Sequence, residues 1–169
     1  MSKYFCGTYF LKGEYCDKNI KLGIKNIRSA AKDGFAPACL HLARYYEKGF
    51  TEGGINQSNT LAVKNYKTSA KKCNVKAQIR LAEIYKNGTL GVSKNLKESF
   101  KWYLIAAKNG DKDAAFYVAL SYANGTGIAQ NYTEAVTWYK IAADHGSLSA
   151  INNLAVCYNN GLEIGRAHV

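Results

Sequence analysis

The sequence has almost no proline and no long hydrophobic run. One of its 169 residues is proline, and its apolar residues are dispersed, so no segment approaches the roughly 20 apolar residues that cross a bilayer. No transmembrane helix is predicted. The opening residues, MSKYFCGTYFLKGEYC, interrupt their apolar side chains with Gly, Thr, Lys and Glu and therefore lack the apolar core of a secretory signal. If Met1 is the true start, these absences predict a cytoplasmic protein.

Cysteine and histidine are also scarce. The five cysteines are odd in number, form no CxxC motif and follow no constant spacing. Free thiols in a reducing compartment are expected, and a disulfide scaffold is not. The sequence has three histidines, of which His41 stands alone on its helix and His145 ends another. No metal cluster can be assembled from them, so we predict no metal site and no cofactor.

Catalytic signatures are absent as well. The sequence contains no GxxxxGK[ST], HExxH or GxSxG motif, and a helical chain offers no strand-to-helix turn to present one. The GTG at residues 125–127 recurs in register with other glycines, which indicates a helix-ending turn rather than a phosphate loop. We therefore predict that the protein is not an enzyme.

What the sequence does contain is a globular composition with a strong positive charge. Hydrophobic residues make up 47%, charged residues 21%, and the formal net charge is +11. These proportions predict a folded chain. The charge favours anionic partners in general, through a long-range attraction that salt screens, but it identifies no partner.

A nine-residue motif returns in register and organises the chain. WYLIAAKNG at residues 102–110 recurs as WYKIAADHG at residues 138–146, 36 residues later. A second pattern precedes it, with small or apolar residues at positions 0, 4, 5 and 8 and glycine at position 11, counted from Ser2, Ala38, Ala77, Ala114 and Ala150. These markers predict an array over residues 1–161, with repeats at 2–37, 38–76, 77–113 and 114–149 and a partial repeat at 150–161.

Each repeat predicts two helices. Positions 0, 4, 8 and 11 fall on one side of a first helix, the A helix, and the small residue at position 5 allows close packing. Glycine at position 11 ends it. An Asn or Ser cap at residue 19, 58, 95 or 131 begins the second, the B helix, with Glu three residues later in two repeats. The B helix carries the nine-residue motif and ends at Gly34, Cys73, Gly110 or Gly146. The expected fold class is all-α, a stack of antiparallel helix pairs.

The second repeat is the longest, at 39 residues. Its extra residues fall in FTEGGINQ, between Gly49 and Ser58. We predict an exposed loop, because insertions in exposed loops cost little stability. Since this loop distinguishes one repeat from the others, it is a candidate for contact with a partner.

These residues resemble the Sel-1-like repeat family, a relative of the tetratricopeptide repeat with units of about 36 residues. The segments GTLGVSKNLKESFKWYLIAAKNG and GTGIAQNYTEAVTWYKIAADHG carry the likeness, which is strongest over residues 77–146. Two departures are Ala in place of the usual Gly in four of five repeats, and the lack of Trp in the first two. The resemblance implies a right-handed superhelical solenoid that acts as an interaction scaffold or adaptor. Some secreted members bridge cysteines eight residues apart, but this sequence has no such pair.

In related superhelices the concave wall is formed by A-helix residues at the variable positions 3, 6 and 9. Here these side chains grade from charged to apolar along the array, which suits a protein or peptide partner with an acidic part and an apolar part. The alternative is that they are merely tolerated exposed positions. The candidate partner-binding residues are His41, Arg44, Glu47, Arg80, Glu83, Lys86, Tyr117, Leu120, Asn153 and Val156.

A second candidate surface lies on the B helices, on the predicted convex side. Basic residues at helical spacing would suit a phosphate backbone or anionic lipid. The stripe lacks interleaved aromatic residues for base stacking, however, and lysine is common on solvated helix faces. Nucleic acid is therefore the less favoured partner. The stripe consists of Lys21, Lys25, Arg28, Lys32, Lys64, Lys67 and Lys71.

The last residues break the pattern. Gly161 should precede a loop and a fifth B helix, but the sequence continues only as LEIGRAHV. EIGRAHV resembles the translation of a common sequencing adaptor, so we expect residues 162–169 to be a non-native tail and the natural protein to be longer. An unusual natural tail is the alternative.

Overall fold

The computed structural model describes the backbone of residues 2–159 and the side chains of residues 3–159. Within that range the chain forms nine α-helices and a short 3-10 turn, Thr51–Gly53. The predicted all-α class is confirmed. The A helices are α1, α3, α5, α7 and α9, and the B helices are α2, α4, α6 and α8. Their bounds are α1 (Ser2–Lys12), α2 (Ile20–Lys32), α3 (Ala36–Lys48), α4 (Asn59–Lys71), α5 (Val75–Asn87), α6 (Leu96–Lys108), α7 (Lys112–Asn124), α8 (Tyr132–Asp144) and α9 (Leu148–Asn159).

Helices that follow one another in the chain pack against each other, in two compact units. In the first unit α1 packs on α2, α2 on α3 and α3 on α4, and in the second α6 packs on α7, α7 on α8 and α8 on α9. The first unit comprises the described residues up to Leu81 together with Gly88–Val92. The second comprises Ala82–Asn87 together with the described residues from Ser93 onward.

The B helices begin at the predicted caps, whose side chains each accept a hydrogen bond from a first-turn backbone N–H. Each cap also donates its own N–H, at 2.8 to 2.9 Å, to the carbonyl at position 8 of the preceding A helix. In a capping box the glutamate would accept a hydrogen bond from this same N–H, which is already used here. Glu98 pairs with Lys101 instead. The pairs of cap and carbonyl are Asn19 with Phe10, Ser58 with Tyr46, Asn95 with Tyr85, and Asn131 with Tyr122.

Two residues after each B helix lies the residue predicted to end it, and in all four repeats this residue has positive φ. Three repeats use glycine there; Gly110 has φ +89°, and a Cβ placed on it would meet no atom within 4 Å. The second repeat uses Cys73 at φ 59°. A residue with a Cβ pays about 1–2 kcal/mol for this conformation, so the end of α4 is strained at Cys73.

The repeated small and aromatic residues form the core. The tyrosine of the WY pair is 4% exposed in Tyr103 and 2% in Tyr139, whereas the preceding tryptophan is half-buried in both repeats. The alanine at position 5 is fully buried in three repeats, as expected for close packing between helices. These alanines are Ala43, Ala82 and Ala119.

The insertion in the second repeat is packed, not open. Ile55 is 1% exposed and joins the core cluster of the first unit with Ile24. Phe50 and Ile55 exchange two backbone hydrogen bonds, of 2.7 and 2.9 Å, and the Phe50 ring stacks on Tyr45 at 4.7 Å. The expectation of an exposed loop is therefore wrong for these two side chains, because burying them removes apolar surface from water. The expectation holds for the rest of the loop, in which Thr51, Glu52, Asn56 and Gln57 are exposed.

Gly161 and the predicted tail at residues 162–169 lie outside the described residues. Over residues 2–159, no helix combines the length and the apolar content that crossing a bilayer requires.

Candidate partner-binding site

One tyrosine of each middle repeat marks the place where A-helix side chains gather. This tyrosine is the second residue of the WY pair, or stands at the equivalent position, in the B helix. It is buried in all three repeats, as Tyr66, Tyr103 and Tyr139. Its neighbours come from position 9 of its own A helix and position 3 of the next A helix. Both positions belong to the set predicted to form the groove. The three tyrosines therefore give three comparable sites with different surroundings.

At Tyr66 the neighbours form a closed polar cluster in the first unit. The Tyr66 hydroxyl donates to Glu47 Oε2 at 2.5 Å, and Arg80 pairs with both oxygens of the same carboxylate. Burial raises the pKa of Glu47, but the hydrogen bonds from Arg80 and Tyr66 and the charges of Arg80 and Lys48 outweigh it, so the pKa is lowered overall. Arg80 is thus already paired with a carboxylate of its own chain.

At Tyr103, in the second unit, the corresponding neighbours are Lys86 and Tyr117. The Tyr103 and Tyr117 rings stack with centroids 4.8 Å apart and planes at 24°. The Lys86 ammonium lies 4.6 Å from the centroid of the Tyr117 ring, a cation–π contact. Among the residues that the structure describes, none accepts a hydrogen bond from the Tyr103 hydroxyl. Burial, the Glu83 charge and Tyr117 raise the pKa of Tyr103, so this hydroxyl stays protonated at neutral pH.

These side chains line a pocket of about 180 Å³. Phe100 and Tyr103 give it a buried aromatic floor, at 6% and 4% exposure. Three predicted groove residues, Lys86, Tyr117 and Leu120, complete its wall from two different A helices. The pocket combines an apolar floor with an ammonium group and a hydroxyl donor, so it suits a ligand that is apolar at one end and accepts hydrogen bonds at the other.

At Tyr139 the tyrosine hydroxyl again has a hydrogen-bond partner within the chain. Asn153 Nδ2 donates to the Tyr139 hydroxyl at 3.1 Å. Val156, the last predicted groove residue, is 54% exposed on α9. Asn153 therefore has a structural partner, and Val156 remains an exposed apolar position.

His41 and Arg44 belong to a separate pocket of about 500 Å³ in the first unit. The His41 ring stacks on Tyr45 with centroids 5.7 Å apart, and its buried Nδ1 has no hydrogen-bond partner among the described residues. Burial, then the charges of Arg44 and Lys12, lower the pKa of His41, so the ring is neutral at pH 7. Arg44 is exposed. The pocket wall includes Tyr4, His41, Arg44 and Lys76.

The structure thus divides the predicted groove residues between the two units. His41, Arg44, Glu47 and Arg80 lie in the first, and the other six lie in the second. Glu83 is half-buried near Tyr103. Sequence reasoning missed Tyr66 and Tyr103 as site residues, because their exact recurrence marks them as core. The signal that would have found them is the difference between their neighbours at positions 3 and 9.

The basic stripe lies on α2 and α4, and all its members are exposed. Positive charge is concentrated in the same unit: residues 1–81 hold 15 Lys and Arg against 5 Asp and Glu, while residues 82–169 hold 8 against 7. The net charge of +11 therefore belongs almost entirely to the first unit. The stripe members are Lys21, Lys25, Arg28, Lys32, Lys64, Lys67 and Lys71.

The described side chains contain no group of three or more His, Cys, Asp or Glu residues able to hold a metal ion. All five cysteines are free thiols. Burial raises the pKa of the Cys39 thiol and of the Cys157 thiol, which makes both less reactive at neutral pH.

The chain is similar to known repeat proteins in both sequence and structure. The Sel1 repeat pattern matches the chain at residues 1–35, 36–72, 75–111, 112–147 and 148–167. No curated protein matches it. The crystal structure of a Sel1 repeat protein from Oxalobacter formigenes is 33% identical with a TM-score of 0.81, over 93% of this chain and 63% of that one.

Two further solved structures are similar. That of c5321, a protective antigen present in uropathogenic Escherichia coli strains and displaying an SLR fold, is 30% identical with a TM-score of 0.80, over 95% of this chain and 33% of that one. Helicobacter pylori cysteine rich protein B is 22% identical with a TM-score of 0.58, over 84% of this chain and 99% of that one, and shows the fold alone. The chain spans about a third of the first and under two thirds of the Oxalobacter protein. With its repeats matched from end to end, the chain belongs to the Sel1 repeat family.

Proposed function

We propose that the chain is a non-catalytic scaffold that binds a protein or peptide partner through positions 3, 6 and 9 of its A helices. Sel1 repeat proteins are generally protein-interaction scaffolds, and the fold is typically non-catalytic. The repeated positions of this chain are buried in packing, so partner choice falls to the positions that vary between repeats.

The observation that carries the proposal is the pocket of the second unit. Lys86, Tyr117 and Leu120 come from two A helices and occupy different positions in their repeats, yet they line one pocket above buried aromatic rings. A pocket of this kind provides the anchor on which a peptide interface depends, since a few buried aromatic or aliphatic contacts carry most of the binding energy.

The partner we propose is acidic as well as apolar. Arg44 is exposed in its pocket and makes no ion pair with any described residue, and Lys86 lies at the wall of the other pocket. Both cations favour carboxylates, and the excess positive charge speeds the approach of an acidic partner.

Selection from a random-peptide display library on the immobilised chain tests this proposal. Selected peptides should lose about tenfold or more in affinity when Arg44→Glu or Tyr117→Ala is introduced. Two matched controls should bind unchanged: Lys18→Glu changes the charge of an exposed basic residue of the first unit outside both candidate surfaces, and Tyr132→Ala removes an exposed tyrosine of the second unit. A library that yields no binder, or binders sensitive only to the controls, contradicts the proposal.

A second candidate function is supported by the uneven charge. The exposed stripe on α2 and α4 gives the first unit a surface that would suit a nucleic-acid backbone or an acidic membrane. Binding to duplex DNA and to vesicles containing phosphatidylserine, measured against salt, distinguishes this function from the first. Tight binding with a steep salt dependence, lost on substitution of Lys21, Lys25 and Arg28, would favour it. Binding that remains weak at low salt would exclude it.

A further inference from the structure

The three in-register tyrosines differ in how their hydroxyl groups are satisfied. Tyr66 donates to the Glu47 carboxylate, and Tyr139 accepts from the Asn153 amide. Tyr103 is 4% exposed and faces the 180 Å³ pocket, yet none of the described residues bonds its hydroxyl. Among the described residues, the fully buried side-chain N and O atoms without a partner do not include the Tyr103 oxygen, so this hydroxyl reaches the pocket and can donate to a ligand there. The Tyr103 site is therefore incomplete in a way that the other two are not.

The cause is a pair of substitutions between repeats. Position 9 of the A helix supplies Glu47 beside Tyr66 but Lys86 beside Tyr103. Position 3 of the next A helix supplies Arg80 at the first site but Tyr117 at the second. At Tyr66 the chain therefore closes a cluster of a tyrosine donor, a cation and a carboxylate, whereas at Tyr103 the nearby Glu83 carboxylate acts through its charge alone and accepts no hydrogen bond from the hydroxyl.

We infer that the pocket of the second unit binds an aspartate or glutamate side chain of a protein partner, with a neighbouring apolar side chain of the same segment seated on the aromatic floor. The Glu47 carboxylate shows which group fits between a buried tyrosine hydroxyl and a cation in this register. The partner's carboxylate would accept from the Tyr103 hydroxyl and pair with the Lys86 ammonium. This inference rests on the proposed scaffold function and names the chemistry that one of its pockets recognises.

Charge and size agree with this occupant. The Lys86 ammonium is exposed and lies over the Tyr117 ring, so a carboxylate can approach it from solvent. A pocket of about 180 Å³ has room for the apolar side chain on its aromatic floor, while the carboxylate binds at the pocket wall. Glu83 is the acidic residue whose charge acts on Tyr103, and Lys86 opposes its repulsion of an incoming carboxylate.

The test uses the peptides selected on the full chain. Their sequences should contain an aspartate or glutamate beside an aliphatic or aromatic residue, and replacing that acid by asparagine or glutamine should weaken binding about tenfold or more. Lys86→Glu places the chain's own carboxylate where Glu47 lies in the preceding repeat. It should abolish the preference for acidic peptides while the melting temperature stays equal to that of the wild type or rises. Tyr103→Phe should weaken acidic peptides more than their amide analogues, because the hydroxyl bonds a charged acceptor more strongly than a neutral one.

Lys94→Glu is the matched control, because Lys94 is an exposed lysine of the same unit outside the pocket. Peptides that bind this control as they bind the wild type, but lose affinity for Lys86→Glu, support the inference. The inference is overturned if peptides bind without an acidic residue, or if they bind Lys86→Glu with unchanged affinity. The scaffold function still stands in that case if Arg44→Glu or Tyr117→Ala weakens their binding. A failure to select any peptide overturns both.

Discussion

A single tyrosine position combines packing in the core with the proposed recognition of a partner. The ring fills the core in each of three repeats, so its burial is fixed by the repeat. Its hydroxyl depends on two neighbours that vary: Glu47 and Arg80 close the first site, whereas Lys86 and Tyr117 leave the second open to a ligand. We therefore propose that function at the residue scale depends on the varying neighbours of a repeated residue.

Removing the two hydroxyl groups should have unequal effects on stability. Tyr66→Phe deletes a hydrogen bond to a carboxylate and should cost about 1.5–3 kcal/mol, since bonds to charged groups are the strong ones. Tyr103→Phe deletes a hydroxyl that has no partner among the described residues and should change the free energy of unfolding by less than about 0.5 kcal/mol. Urea unfolding of both variants measures the difference. Equal losses would contradict the assignment of the two sites.

Glu47 should make stability depend on pH in the acid range. Its pKa in the folded chain is below the ordinary value of 4.5, despite burial, because Arg80 and Tyr66 bond the ionised form. A lowered folded pKa means that the stabilisation is complete above the unfolded pKa and is lost as pH falls through the folded pKa. Below about pH 4.5 the wild type should therefore lose stability more steeply than Glu47→Gln, in urea unfolding at a series of pH values. Parallel curves would show that the cluster does not hold the carboxylate ionised.

At the scale of the helix, the residue with positive φ after α4 can be compared with its equivalent after α6 by opposite substitutions. Cys73 adopts φ 59° where other repeats place glycine. Cys73→Gly should raise stability by about 0.5–1 kcal/mol, because relief of the left-handed conformation exceeds the added entropy of the unfolded chain. Gly110→Ala should lower it by about 1–2 kcal/mol, with no steric contribution, since the space around Gly110 is open. Changes of the same sign in both variants would contradict this account.

The insertion after α3 should behave as part of the core. Ile55 is 1% exposed beside residues of α2, so Ile55→Ala should cost about 2–4 kcal/mol. Asn56 is the next residue and is exposed, so Asn56→Ala should stay within about 0.5 kcal/mol of the wild type. Thermal or urea unfolding measures both. A small effect of Ile55→Ala would restore the simpler picture of a solvent-exposed loop.

For the molecule as a whole, the sequence predicted the helices better than the sites. Helix ends depend on local chemistry, such as Asn95 at a cap and Gly110 after a B helix, so both are readable from the chain in order. The Glu47–Arg80 pair joins residues 33 apart on α3 and α5, and only the folded chain shows that Arg80 is already engaged. In the insertion, Ile55 could have predicted a buried side chain, since an isolated apolar residue in a polar loop is often buried.

Charge is distributed unevenly between the two units of the chain. Its first unit carries nearly all the excess positive charge and its second has nearly balanced charge, while the pocket lined by Lys86, Tyr103 and Tyr117 lies in the second unit. The two binding functions that we propose, general attraction for anions and the anchoring of a particular segment, therefore belong to different parts of the chain. The first should weaken strongly with salt, and the second only modestly.

The central claim is that partner choice lies in the A-helix positions that vary around a repeated tyrosine. It is tested most directly by titrating a selected acidic peptide into the isotopically labelled chain and following amide chemical shifts by NMR. The account predicts that the largest changes fall at Lys86, Tyr103 and Tyr117, and that they vanish in Lys86→Glu. Largest changes on the exposed faces of α2 and α4 would contradict it.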